Sequence, residues 1–139
     1  MHIYQSTNFQ EFYEPWGITY KGLRLLDVPQ TNIALHFNDI TEFIDAALTG
    51  GGKVLVNCEM GMSRSSTCVL AYLMLKHKMT AGDALAKVGC PLSVYSTKAG
   101  ILSLQVRKHR YVRPNKGFLR QLYELDTRLE RERLMMVTK

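Results

Sequence analysis

Val54-Leu55-Val56-Asn57-Cys58-Glu59-Met60-Gly61-Met62-Ser63-Arg64-Ser65 is the stretch on which the reading of this chain turns. Val54-Leu55-Val56, framed by Lys53 and Asn57, is a short, wholly apolar run. That pattern predicts a buried strand of a mostly parallel sheet. From Ser65 onward, Val69, Leu70, Leu73, Met74 and His77 predict an apolar helix. Between strand and helix lies C-x-x-x-x-x-R, with Gly61 third after the cysteine. A loop of that length can wrap its amide N–H groups inward around one tetrahedral dianion. The helix that follows turns its positive dipole end toward the same spot. Gly61 permits backbone angles that a side chain would forbid. Arg64 returns to the mouth of the cradle with a planar fork suited to two oxyanion oxygens. The candidate binding residues are therefore Glu59, Met60, Gly61, Met62, Ser63 and Arg64.

The same field favours a thiolate at Cys58. A free cysteine titrates near about 8.5, and helix starts with cationic neighbours lower that to about 3.5–7.5. A thiolate can attack phosphorus and form a thiophosphate ester, which divides a slow hydrolysis into two easier steps. Ser65 can donate a hydroxyl hydrogen bond to the sulfur and make it a better leaving group in the second step. The plainer reading is a buried cysteine at a strand end with Arg64 in a surface ion pair. Strand, loop, glycine, arginine, serine and helix in this order argue against it.

Working outward, Ile18 to Val28 predicts a strand closed by Asp27-Val28-Pro29. Phe37, Ile40, Ile44, Ala47 and Leu48 recur at helical spacing, and Gly50-Gly51-Gly52 ends that helix. Thr80 and Asp83 predict a capping box for a short helix, Ala81 to Lys87. A last helix starts at Pro114-Asn115 and runs to about Arg133, burying Phe118, Leu122, Leu125 and Leu129. Residues 89–105 fit no element well, although Ile101 to Leu104 could form a strand fragment. The fold class is α/β: a small, mostly parallel sheet flanked by helices, with the phosphate-binding loop between the central strand and a helix.

At 139 residues and 46% hydrophobic content the chain suits one globular domain that needs no disulfides or metal. No apolar run reaches the roughly 18 residues of a membrane span, and the first residues show no secretory signal. Cys58, Cys68 and Cys90 are odd in number and lack metal-ligand spacing, so reduced thiols of a cytoplasmic or nuclear protein are expected. Cys68 and the methionines Met60, Met62, Met74, Met135 and Met136 read as packing residues. The net charge is +6, with Arg107, Lys108, Arg110, Arg113, Lys116 and Arg120 in one run free of acidic residues. A solvated face is the favoured reading of that run. It lacks the aromatic interleaving of an RNA-binding signature, so no nucleic-acid partner is expected.

The loop resembles the H-C-x-x-G-x-x-R-[ST] signature of cysteine-based protein phosphatases. Ala71-Tyr72-Leu73-Met74 and Pro114-Asn115-Lys116-Gly117-Phe118-Leu119-Arg120-Gln121-Leu122 resemble stretches of the dual-specificity subgroup, here of its atypical kind. The resemblance implies hydrolysis of phosphotyrosine and phosphoserine or phosphothreonine in proteins, without metal or organic cofactor. Phosphorylated proteins, protein kinases among them, would be the partners. It also implies a general acid on the loop after the strand before the long helix, a place that Asp27 matches. Read from the residues alone, Asp27 is equally a turn residue before Val28-Pro29. Asn115 reads as a helix cap, and the resemblance adds a role bracing the phosphate loop.

Three features depart from the family pattern. Asn57 stands where the family has histidine; an amide cannot become cationic, so a less acidic Cys58 is expected. The family carries a strand, a helix and another strand before the point that matches Met1, which suggests an N-terminally incomplete domain whose strand Lys53–Asn57 lacks a neighbour. Residues 88–105 read as an insertion in a single domain of residues 1–139. Two rival readings follow from these departures and from the basic run: a weak or inactive phosphatase-like module that binds phosphoproteins, and a basic scaffold.

Overall fold

The computed structural model describes residues 1–4, 9–89, 95–97, 100–102 and 112–137. Three short parallel strands form the sheet in the order β2-β1-β3: β1 is His2–Tyr4, β2 Gly22–Arg24 and β3 Asn57–Cys58. Ile3 lies opposite Leu23 on one side and Cys58 on the other. Parallel pairing requires crossovers, and the chain supplies them. A short helix α1 (Gln10–Tyr13), with a 3-10 turn Glu14–Trp16, leads from β1 to β2. A 3-10 turn (Ile33–His36) and helix α2 (Phe37–Thr49) lead on to β3. Helices α3 (Arg64–His77), α4 (Ala81–Gly89) and α5 (Lys116–Val137) complete the layer, with a small antiparallel hairpin of β4 (Tyr95–Thr97) and β5 (Gly100–Leu102) between the last two.

Helix α3 is the hub, packed against α2, α4, α5 and the sheet. Leu70, Ala71, Tyr72, Leu73 and Met74 are all buried along it, which accounts for its lack of a polar face. It ends at Lys78 in the left-handed conformation, φ 55°. Thr80 then starts α4 by accepting the Asp83 N–H at 3.1 Å. That is one half of the expected capping box, and the Ala81 N–H of the same turn goes to Asp126 of α5 at 2.9 Å. Phe118, Leu122 and Leu125 bury the predicted stripe of α5, each contributing roughly 1.5–3 kcal/mol.

The α/β class and parallel sheet are as expected, and three details differ. The run Val54–Val56 is not a buried strand: pairing begins at Asn57, and Leu55 is 74% exposed. The reason is reach. The neighbour of β3 is β1, which pairs only with Asn57 and Cys58; Met1, just before β1, gives its ammonium to Leu55 O at 2.6 Å and accepts the Asn57 N–H at 3.1 Å. In consequence β1, not the strand before the loop, is central among the described strands, and β3 has β1 alone as a described strand neighbour. The strand read as Ile18–Val28 is ordered as strand only at Gly22–Arg24, the length that β1 can pair. Met60, Met135 and Met136 are exposed rather than packed, whereas Met74 is core. Cys90, Arg107, Lys108, Arg110 and most of the expected insertion lie outside the described residues.

Candidate active site

The cradle is built between β3 and α3. Cys58 ends β3 and is buried. The chain turns at Gly61, whose φ of 65° is the left-handed conformation foreseen for it. Helix α3 then starts at Arg64 with Ser63 as its cap residue. Ser63 O receives the Thr67 N–H at 2.9 Å and the Thr67 and Ser66 hydroxyls at 2.7 and 2.9 Å, so the loop is pinned where it meets the helix. The Cys58 sulfur lies 3.1 Å from Ser65 Oγ. Burial pushes the Cys58 thiol up. The Ser65 hydroxyl, the Ser65 and Gly61 N–H groups and the Arg64 charge outweigh it and hold the thiol below the ordinary value. That lowered thiol exists with Asn57, not histidine, beside it. Cys68 behaves oppositely: deep burial, aided by the charge on Cys58, pushes its thiol well up, as suits a core residue.

Arg64 closes the loop from the other side and is 2% exposed. Its guanidinium donates to Leu25 O at 3.1 Å, and carboxylates of Glu59 and Asp27 approach it at 3.5 and 3.7 Å. Nε has no hydrogen-bond partner among the described residues. A buried N–H left unmatched costs about 1–3 kcal/mol, and an oxyanion in the cradle is the acceptor that such a group suits.

Asp27 lies beside the cradle, where its Oδ1 accepts from Ser63 Oγ at 2.7 Å and from Asn115 Nδ2 at 2.8 Å. Asn115 performs both roles expected of it. Its Oδ1 accepts the Phe118 N–H at 3.0 Å as the cap of α5, and its own N–H binds Ser63 Oγ at 3.0 Å. Arg113 N–H adds a bond to Met62 O at 3.0 Å, so the start of α5 is sewn to the loop.

All the residues singled out from the sequence thus meet at one place: Cys58 to Ser65 on the loop, Asp27 beside it, and Asn115 behind. Two supports escaped notice. Gly117 lies so close to Pro29 that a Cβ there would overlap the Pro29 main chain, which lets α5 press on the Asp27 loop. Gln121, one turn on, accepts the Ala34 N–H and donates to Thr31 O, both at 2.9 Å. The spacing of Asn115, Gly117 and Gln121 carried the signal: polar or small residues interrupt the face of a helix whose other inward positions are apolar. A cavity of about 850 Å³ lies elsewhere; Met1, Tyr20, Phe43 and Leu55 line it, and neither Cys58 nor Arg64 does. A loop that folds around one tetrahedral group leaves no large void. Among the described residues there is no cluster of metal-ligating side chains, and no helix is long and apolar enough to cross a membrane.

Residues 2–128 match the family described as "Dual specificity phosphatase, catalytic domain". The chain belongs to the dual specificity phosphatase family. Human dual specificity protein phosphatase 26 is 43% identical to it over 120 residues, 86% of this chain and 48% of the relative. The Bos taurus protein of the same name is 42% identical over the same span. The chain spans about half the length of the curated relatives it matches. Among solved structures, the human tyrosine phosphatase-like serine/threonine/tyrosine-interacting protein superposes with a TM-score of 0.65 at 33% identity, covering 91% of this chain and 76% of that one. The Yvh1 phosphatase domain from Chaetomium thermophilum gives 0.62 at 26%, covering 88% and 76%. The dual specificity phosphatase family is thus the one the loop already resembled.

Proposed function

We propose that the chain is a protein phosphatase that hydrolyses phosphotyrosine and phosphoserine or phosphothreonine through a cysteinyl-phosphate intermediate. One observation carries the reading: a buried sulfur with a lowered thiol titration, touched by a hydroxyl and two amides, shares a single loop with a buried guanidinium. A phosphoryl group in the cradle receives the amides of residues 59–64 and the fork of Arg64. The Cys58 thiolate attacks phosphorus; the S–P bond forms as the P–O bond to the leaving group breaks, and Asp27 gives that oxygen its proton. Water then attacks the same phosphorus, returning a proton to Asp27, and sulfur departs with the Ser65 hydroxyl bonded to it. A positioned acid of this kind contributes typically about 10² to 10⁴ in rate. No metal or organic group enters these steps.

Phosphorylated proteins, protein kinases among them, are the proposed substrates, and the cytoplasm or nucleus is the proposed setting, because the mechanism needs a free thiol at Cys58. The binding-module reading is less favoured, since the nucleophile is present and its thiol is lowered. Turnover of an aryl phosphate by wild type, Cys58→Ser and Asp27→Asn tests the proposal. Loss of turnover in Cys58→Ser supports it. Phosphopeptide binding with no turnover by wild type would replace it with the module.

A further inference from the structure

We propose that Ser63 is a positioning residue for Asp27, fixing Oδ2 as the carboxyl oxygen that carries and passes the proton. The inference rests on the reading of Asp27 as the general acid and deepens it.

Two main-chain N–H groups beside Asp27 can only donate. The main-chain N–H of Asn115 binds Ser63 Oγ at 3.0 Å, so that oxygen is already an acceptor there. Its own proton points away from that N–H, and the acceptor within reach is Asp27 Oδ1 at 2.7 Å. The main-chain N–H of Phe118 binds the Asn115 side-chain oxygen at 3.0 Å, which fixes the orientation of that amide. Its NH₂ end must then face Asp27 Oδ1, at 2.8 Å. The Phe118 N–H thus sets the direction of the Asn115 amide, and the Ser63 hydroxyl, free to rotate, donates to Asp27 Oδ1 while that carboxylate is ionised. Asp27 Oδ1 accepts twice, from the Ser63 hydroxyl and from the Asn115 amide, and the amide donor cannot reverse.

A carboxylic acid places its proton on one oxygen. Protonating Oδ1 would set that proton against the Asn115 amide or turn the Ser63 hydroxyl away from its acceptor, losing a bond in a part-buried place. Among the described residues Oδ2 has no such donor within hydrogen-bond distance; its charged neighbour is Arg64 Nε at 3.7 Å. The proton is therefore assigned to Oδ2, the oxygen that approaches Arg64. Ser63 is well suited to hold this arrangement. It is buried, and its carbonyl is pinned by Ser66 and Thr67. It also directly precedes Arg64, so the acid and the phosphate clamp are registered through adjacent residues of one rigid loop. The sequence alone marked Ser63 only as one of the residues of the cradle.

The test uses leaving groups. An acid that protonates the departing oxygen matters little for phosphates of acidic phenols and greatly for those of basic phenols or alcohols. The quantity to measure is the ratio of kcat/KM between an acidic-phenol and a basic-phenol phosphate. Asp27→Asn is expected to raise that ratio strongly. Ser63→Ala is expected to raise it about tenfold, the worth of one good hydrogen bond, and to change it less than about twofold when added to Asp27→Asn. Ser63→Cys, which keeps the shape but donates weakly, must move the ratio in the same direction, and it serves if the alanine protein does not fold. Equal losses on both substrates, or full additivity with Asp27→Asn, would show that Ser63 merely shapes the loop and would overturn the inference. A ratio unmoved by Asp27→Asn itself would overturn the assignment of Asp27, and the inference with it.

Discussion

Replacing Ser65 with alanine isolates what one hydroxyl does for the nucleophile. The Ser65 oxygen lies 3.1 Å from the Cys58 sulfur. Burial alone would raise the thiol, and the Ser65 hydroxyl is foremost among the groups that bring it below its ordinary value. A hydrogen bond to a charged group is worth about 1.5–3 kcal/mol, and one pKa unit corresponds to about 1.4 kcal/mol. Removing the hydroxyl therefore raises the Cys58 titration by about one to two units, while the Ser65 and Gly61 N–H groups and Arg64 remain. The sign is unambiguous, because the hydroxyl donates to the anion and its loss destabilises only the thiolate. The assay is the rate of Cys58 alkylation by a neutral reagent against pH, with Cys58→Ser as the blank for other thiols. The reagent reads the thiolate directly, so the midpoint should move to higher pH by that amount. The acidic limb of turnover should move with it, and the cysteinyl phosphate should break down more slowly. A midpoint unchanged within a few tenths of a unit would refute the reasoning.

Three further substitutions probe the rest of the site. Arg64→Lys keeps the charge but loses the fork; losing one of two charge-assisted bonds at about 1.5–3 kcal/mol lowers kcat/KM on an aryl phosphate by about 10- to 10²-fold, and an unchanged value would contradict the clamp. Gly117→Ala forces a Cβ into the Pro29 main chain, so thermal melting should show a loss of about 1–3 kcal/mol together with slower turnover of alkyl phosphates. Asn57→His restores a group that can carry positive charge next to Cys58, and the alkylation midpoint should fall to lower pH. A midpoint that stays or rises would show that the amide is already equivalent.

The loop was legible because its chemistry is local. Cysteine, glycine, arginine and serine at that spacing, between an apolar run and an apolar helix, specify a cradle whatever surrounds it, and the left-handed Gly61 and buried Arg64 follow directly. Helices were legible for the same reason: periodicity and breakers such as Gly50 act within a few residues. Strand extents were not. Val54–Val56 carries the composition of a core strand, but a strand needs a partner, and β1 pairs only with Asn57 and Cys58, with one bond from Met1 to Leu55 O beyond them. That partner is more than fifty positions away in sequence, so no local pattern reveals where pairing stops. The bracing by Gln121 was hidden likewise, since its two bonds reach Thr31 and Ala34 across the fold. Asp27 marks the boundary between the two cases. Its turn was visible, but its bonds to Ser63 and Asn115 appear only once α5 is laid against the loop.

Trapping the intermediate tests the central chemistry most directly. Wild type mixed with an aryl phosphate and quenched in acid should carry one phosphoryl group on the peptide containing Cys58, found by mass spectrometry, with Ser65→Ala accumulating more of it. Turnover that proceeds with no phosphoryl group on that peptide, or that survives Cys58→Ser, would contradict the account.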